Sequence, residues 1–436
     1  MSFMRKMPKA YEHLTGHLEA VVLNGYNIVG DGTPQALIPI LTGQTESELP
    51  NVRADERNAR FVDDAYPFIW KDFSKRGYVT LYAEETSFGT FTMRLKGFKH
   101  QPTDHYFRTF WQKAEKTRDE SKHWACLNEE SIMSVWFRYF EDFFAKYPSS
   151  VPKFLFTIHD QLTHRDDQNT LQIGEPYLLD HLKNLESSGQ GTLEERMPMF
   201  SFVAPKWWRE SVGKEAWTNL RTNAERLTTP WDIYATIKAL LDGDLSQIAP
   251  NPPPNKSKPS RSLSLWQEVP KDRNCQTADI ADHWCICLAW EAISASSQEA
   301  QRVAKVALMR INSETDTARH LCVELTLKEV KSATRLAPNQ RVMSFKKSKD
   351  KHGMIPDFSA STKVDQATYR LTFETKPSGA IFEATVHHHR LSGLNRVSLE
   401  EISRLDKYGN QPACIQETHP NWRQWCVCLD WVNKGH

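Results

Sequence analysis

The sequence predicts an α/β protein: a mostly parallel sheet flanked by helices over residues 1–247, followed by a Cys-rich α+β module over residues 265–436. Three observations predict it. Short apolar strand-like runs alternate with helical stretches through the first part of the chain, the pattern of a layered sheet with crossover helices. A proline-rich segment, 248–264, then interrupts the pattern. Finally, seven of the eight cysteines lie at or beyond position 275.

Each element follows from local chemistry. Residues 20–23 read as a short buried strand. Thr33-Pro34 opens a helix, with Thr as N-cap and Pro in the first turn, and Gly43 ends it. A helix over 68–75 precedes a strand over 77–82. A longer helix spans 129–147, and a third strand, 154–158, runs into His159-Asp160. A helix over 177–185, a strand over 200–203 and a helix over 232–241 complete the first domain. Pro250, Pro252, Pro253, Pro254 and Pro259 exclude helix and central strand, so 248–264 reads as a linker. Beyond it, the pattern predicts a helix over 298–312 and strands over 321–329, 369–374 and 380–386.

The chain has 436 residues, enough for two or three domains at about 150 residues each. Lys plus Arg number 55 and Asp plus Glu 54, a net charge of +1. So balanced a surface argues against broad electrostatic binding of nucleic acid or anionic membrane, and no periodic basic or aromatic face suggests nucleic acid. The aromatic share is 11%, with 14 Trp, which suits a packed core and excludes wholesale disorder. No apolar run reaches the length of a transmembrane helix. The start, Met1 to Pro8, has no apolar signal-peptide core.

The cysteines point to an oxidising compartment. They are Cys126, Cys275, Cys285, Cys287, Cys322, Cys414, Cys426 and Cys428. The last seven are disulfide candidates, and an extracellular or secretory-pathway location follows. Set against the missing signal peptide, this suggests an incomplete N-terminus. An internal echo is visible: Cys275 with Cys285-Ile286-Cys287, then Cys414 with Cys426-Val427-Cys428, each Cys-x-Cys preceded by Trp284 or Trp425 and followed by Trp290 or Trp431. Adjacent cysteines of Cys-x-Cys are poorly placed to bridge each other, so pairing across the two copies is expected. A thiolate zinc site is the alternative reading, although Cys-x-x-Cys spacing is missing. His387-His388-His389 could hold a metal only through His387 and His389, which share a strand face. An exposed strand end is the plainer reading.

Several stretches resemble one family. They are Met7-Pro8-Lys9, Gly25-Tyr26-Asn27 with Val29-Gly30-Asp31, Thr33 through Leu41-Thr42-Gly43, Phe68 to Phe73, Gly77 to Glu85, and Pro102 to Tyr106. Leu193 to Pro198, Leu227 to Ile233, Arg273-Asn274-Cys275 and Tyr408 to Gln411 follow in order. The chain thereby resembles metazoan proteins carrying domain of unknown function 229, relatives of the sulfatase and alkaline-phosphatase superfamily, over almost its whole length. The fold implied is a truncated alkaline-phosphatase-like sheet. The activity implied is metal-assisted hydrolysis of a phosphate or sulfate ester, in which two zinc-type divalent cations activate a hydroxyl nucleophile at a helix N-terminus.

On this resemblance Thr33 takes the nucleophile position, counted back from Leu41-Thr42-Gly43. A Thr there resembles the phosphodiesterase and phosphomutase branches. Pro34 is shifted by one place and Leu37 stands where the family's Arg is expected, so sulfate-ester chemistry is not expected. The plain alternative for Thr33 is a helix cap. Asp160 and His164 match the superfamily's Asp-x-x-x-His metal pair at the carboxyl edge of the sheet, with a solvated loop pair as the alternative. His159 and Asp166 are reserves. Asp104-His105 could line a pocket or form a surface hydrogen-bonded pair.

Two family elements are missing. The chain begins after the expected first-strand Asp, and it contains no Asp-His-Gly. Ser187 to Thr192 runs directly where that metal loop belongs. A dinuclear site wants about six ligands, so metal binding is expected to be weak or absent. The resulting reading is a degenerate, non-catalytic secreted member of a hydrolase-like family, a pseudoenzyme. The alternatives are an active phosphoesterase whose sequence lacks two segments, and a structural or adhesive extracellular protein working through its Cys-rich module. The sequence names no partner.

Overall fold

A run of six residues, Val-Thr-Leu-Tyr-Ala-Glu, organises the first half of the molecule. In the computed structural model it forms the strand Val79–Glu84, buried from Thr80 onward. The structure describes residues 2–30, 32–54, 56–117, 126–127, 130–159, 174–184, 199–246, 260–285, 288, 290–336, 344–347, 354–357, 366–389, 393–406, 408–416 and 418–434. Most of the expected linker, 248–259, lies outside these residues, as do Asp160, His164, Asp166 and Cys287. The chain divides into two compact units, Met1–Ile280 and Ala281–His436.

In the first unit, Val79–Glu84 is the middle strand of a three-stranded parallel sheet. His105–Tyr106 lies on one side and Lys153–Ile158 on the other. Successive side chains point to opposite faces, and both faces are covered. Tyr82, Phe154 and Phe156 join Phe68, Trp70 and Phe91 in one core. Leu81, Ala83 and Leu155 join Trp111, Trp136 and Phe140 in another. Helices Ile69–Lys75 and Thr33–Thr42 contribute to the first core, Arg108–Ala114 and Ile132–Lys146 to the second. This two-sided covering is what a near-continuous apolar parallel strand requires.

The unit is mixed α/β, but its strands do not form one mostly parallel sheet among the described residues. Val21–Leu23 pairs antiparallel with Phe200–Phe202 as a separate ribbon. Periodicity reports that a strand is buried, not which strand it pairs with. Gly25 lets that ribbon's continuation cross the backbone at Arg226, where a Cβ would lie 2.1 Å from the carbonyl oxygen. Hydrogen bonds between Gly25, Asn27 and Thr228 close the crossing.

The first unit extends beyond the domain boundary expected at 264. Residues 260–280 dock on the helix Pro230–Asp242 and its neighbour Lys214–Asn223. Leu265, Trp266 and Val269 are buried in the core. The polar anchor is Asp232, fully buried. Its carboxylate accepts the backbone N–H groups of Thr229 and Leu263, each at 2.7 Å. The Arg273 guanidinium closes on the same carboxylate as a fork, at 2.7 and 3.0 Å. Asp232 also completes a capping box with Thr229, and Gly243 ends the helix in the left-handed region.

The second unit is α+β. Its six-stranded antiparallel sheet runs Asn395–Arg396, Ile381–His389, Gln366–Lys376, Thr326–Leu336 and Trp290–Ile293, with Ile402–Arg404 also pairing Ile381–His389. The strand expected over 321–329 forms later and longer, as Thr326–Leu336. The helix Gln298–Glu314 buries Ala300, Val303, Ala304, Ala307, Leu308 and Ile311, a single apolar stripe, against the sheet. Ser297 caps it by accepting the Ala300 N–H.

Two disulfides in this unit are Cys322–Cys426 and Cys414–Cys428. Cys275 and Cys285 are each disulfide-bonded as well, and Cys126 is free. Pairing of Cys426 and Cys428 with the first Cys-x-Cys copy is therefore corrected. Cys428 closes onto Cys414 of its own copy, and Cys426 takes Cys322, which lies outside both copies, with their Cα atoms 5.2 Å apart.

Replacing Arg273 by Ala leaves the Asp232 carboxylate buried without its fork. The expected loss is about 3–5 kcal/mol in urea unfolding, read by tryptophan fluorescence.

Candidate functional site

In a parallel sheet every strand points the same way, so the loops after their carboxyl ends gather at one edge, where α/β proteins build sites. Here Glu84 is paired in register with Ile158. The next residues, Glu85 and His159, therefore leave the sheet side by side. His159 Nε2 lies 3.0 Å from Glu85 Oε2. Glu85 is fully buried. The imidazole packs edge-on against Trp136, with ring centroids 4.9 Å apart, and Nε2 also contacts the Met133 sulfur. Burial pushes the His159 imidazole down to about 4. At neutral pH it is an uncharged ring beside a carboxylate, held on three sides.

Glu84 is fixed differently. Its carboxylate accepts the Thr90 N–H at 2.8 and 3.1 Å to its two oxygens. The loop that delivers this N–H passes so close that a Cβ on Gly89 would lie 2.1 Å from Glu84 Oε2. Thr92 Oγ1 accepts the Gly89 N–H at 3.0 Å and holds the turn. Burial, reinforced by the nearby Glu84 carboxylate, holds the Tyr82 phenol well above its ordinary value, so it stays protonated.

Thr33 stands at the start of the helix Thr33–Thr42, as its first helical residue. The expected cap is corrected: Gly32 is the N-cap, at φ 85°, a conformation open to glycine and disfavoured for threonine. The rest of the helix is as the sequence predicts, ending at Gly43 with φ 72°. Asp160 and His164, the expected metal pair, and Asp166 lie outside the described residues.

The other candidates have local partners. Asp104 accepts the backbone N–H and the hydroxyl of Thr80, both at 2.8 Å, and His105 bonds the Tyr147 hydroxyl at 2.7 Å. His387 is not a loose strand end. Its Nε2 meets Glu401 at 2.6 Å and its Nδ1 meets Thr368 at 3.2 Å. His388 bonds Asn395 at 2.9 Å. Burial pushes the Glu401 carboxyl up, and hydrogen bonds from His387 and Ser398 outweigh it, leaving the carboxyl below its ordinary value.

The described candidates at this edge are held within the fold. Thr33 contributes a hydroxyl, while Glu84, Glu85 and His159 are engaged by neighbours of their own fold. The grouping whose ligand atoms come close enough to share an ion is Cys322, Cys414 and Cys426, within 4.8 Å of one another. Those sulfurs are in disulfides and are not thiolates. Glu84 and Glu85 stand at this edge beside His159 without a motif to mark them in the sequence. The available signal was two acids directly after a buried apolar run.

Two outcomes follow from this geometry. Gly89→Ala pushes a methyl group into the Glu84 carboxylate and is expected to lower stability by about 1–3 kcal/mol in urea unfolding. His159 is neutral when folded and takes a proton below its ordinary 6.5 when unfolded. Its contribution is therefore full above pH 6.5 and is lost as pH falls toward 4. The stability difference between wild type and His159→Gln should be constant above pH 7 and should shrink across that window, measured by denaturant titration at each pH.

Comparison with known proteins places the chain. No curated protein and no solved structure matches it. A family described as "Protein of unknown function (DUF229)" matches residues 1–190 and 183–331. These spans take in the parallel sheet, the Glu84–Glu85–His159 edge and the helix opened by Thr33, and on them the chain belongs to the DUF229 family.

Proposed function

We propose that this chain is a degenerate, non-catalytic secreted member of a metal-dependent phosphate- or sulfate-ester hydrolase-like family. It keeps an alkaline-phosphatase-like α/β platform without a working dinuclear centre. One observation carries the reading. At the carboxyl edge of the parallel sheet, Glu84, Glu85 and His159 are packed and hydrogen-bonded into the fold rather than set out as an open ligand shell. Metal-assisted ester hydrolysis needs carboxylates and imidazoles that converge on a shared pair of ions. The lack of Asp-His-Gly in the sequence agrees with this. The disulfides favour an extracellular or secretory-lumen setting.

The test is turnover. Purified chain supplied with zinc, manganese or calcium should hydrolyse aryl phosphate, aryl phosphodiester and aryl sulfate no faster than a blank. Metal-dependent hydrolysis that disappears in Thr33→Ala would reverse the proposal and assign an active phosphoesterase with Thr33 as nucleophile.

A further inference from the structure

The four cysteines of the two disulfides in the second unit lie in one small cluster with Ala318 and Ile415. Their backbone placement permits a second pairing. Val323 N–H bonds Val427 O and Leu429 N–H bonds Leu321 O, each at 2.8 Å. These bonds flank the Cys322–Cys428 bridge, which is therefore a non-hydrogen-bonded antiparallel pair. Such pairs hold their Cα atoms about 4.5 Å apart with side chains on one face, inside the range a disulfide spans. The other two sulfurs, Cys414 Sγ and Cys426 Sγ, are 4.0 Å apart although each is bonded elsewhere.

Access and leaving-group chemistry are also asymmetric. Cys322, Cys426 and Cys428 are buried, whereas Cys414 is part-exposed. The Cys414 backbone N–H points at Cys428 Sγ, 2.9 Å away. A hydrogen-bond donor there stabilises a thiolate on Cys428, which makes Cys428 the better leaving group when Cys414 is attacked.

We propose that Cys322, Cys414, Cys426 and Cys428 form a thiol–disulfide exchange centre. A low-molecular-mass thiol enters at Cys414, and the pairing moves from Cys322–Cys426 with Cys414–Cys428 to Cys322–Cys428 with Cys414–Cys426. The thiolate attacks Cys414 Sγ, forming a mixed disulfide and releasing Cys428 as thiolate. Cys428 attacks Cys322 across the bridge, and Cys426 leaves as thiolate. Cys426 then attacks Cys414 in the mixed disulfide and returns the small thiolate. Two S–S bonds break and two form, the thiol is regenerated, and no net oxidation occurs.

Both pairings are populated at equilibrium once a thiol opens the route. The intact wild-type chain is incubated with reduced glutathione, quenched with acid and digested without reduction. Fragmentation at Val427 separates Cys426 from Cys428 in the mass spectrum. The expected result is time-dependent appearance of Cys322–Cys428 and Cys414–Cys426 linkages, absent without thiol, with the protein's free-thiol content unchanged. Recovery of the original pairing alone, or a thiol adduct on any cysteine of the four other than Cys414, would overturn the proposal.

Discussion

Burial of Val79–Glu84 on both faces is the constraint around which the first unit is built. A parallel strand with a parallel neighbour on each side and aromatic side chains above and below leaves its polar groups little water to bond, although the indole N–H groups of Trp70, Trp111 and Trp136 go without a partner among the described residues. Everything at its carboxyl end inherits that condition. Glu84 has to accept a backbone N–H, and Glu85 has to meet an imidazole. The imidazole has to stay neutral, because Trp136 and Met133 replace water around it. Glu84, Glu85 and His159 are thus part of the packing at this edge.

The same logic explains why the polar anchor Asp232 lies far along the chain from that strand yet is as fully buried. A helix N-terminus has free N–H groups that need acceptors, and a carboxylate at that end answers them. Once buried, it requires a cation. Arg273 supplies one from the extended segment that follows the proline-rich stretch, so an apparently detached tail becomes part of the first unit. Breaking a buried pair of this kind by removing one partner leaves a charge stranded, which is why such a link fixes a boundary more firmly than apolar contact alone.

The second unit is stabilised by different means. One helix covers one face of the antiparallel sheet, and the far end of the chain is tied down by Cys322–Cys426 and Cys414–Cys428. Cross-links suit such a segment because its own elements are brief 3₁₀ turns and a five-residue helix, Leu429–Asn433, too short to bury much surface by themselves. In the same unit His387 is held between Thr368 and Glu401.

The sequence by itself determined the order and kind of the elements, from the Thr33 helix to the strand at 77–82 and the helix near 298, because apolar spacing and Pro or Gly punctuation act over a few residues. It also determined the family and the oxidised character of the C-terminal region. Tertiary structure decided what depends on residues far apart in the chain. It made Val21–Leu23 the partner of Phe200–Phe202, drew residues 260–280 onto Asp232, and joined Cys322 to Cys426. It also brought Glu85 against His159, residues separated by most of a βαβ crossover. Local pattern carries no information about which distant segment satisfies a given donor or thiol. That choice belongs to the packed molecule, where segments distant in the chain are brought within bonding distance.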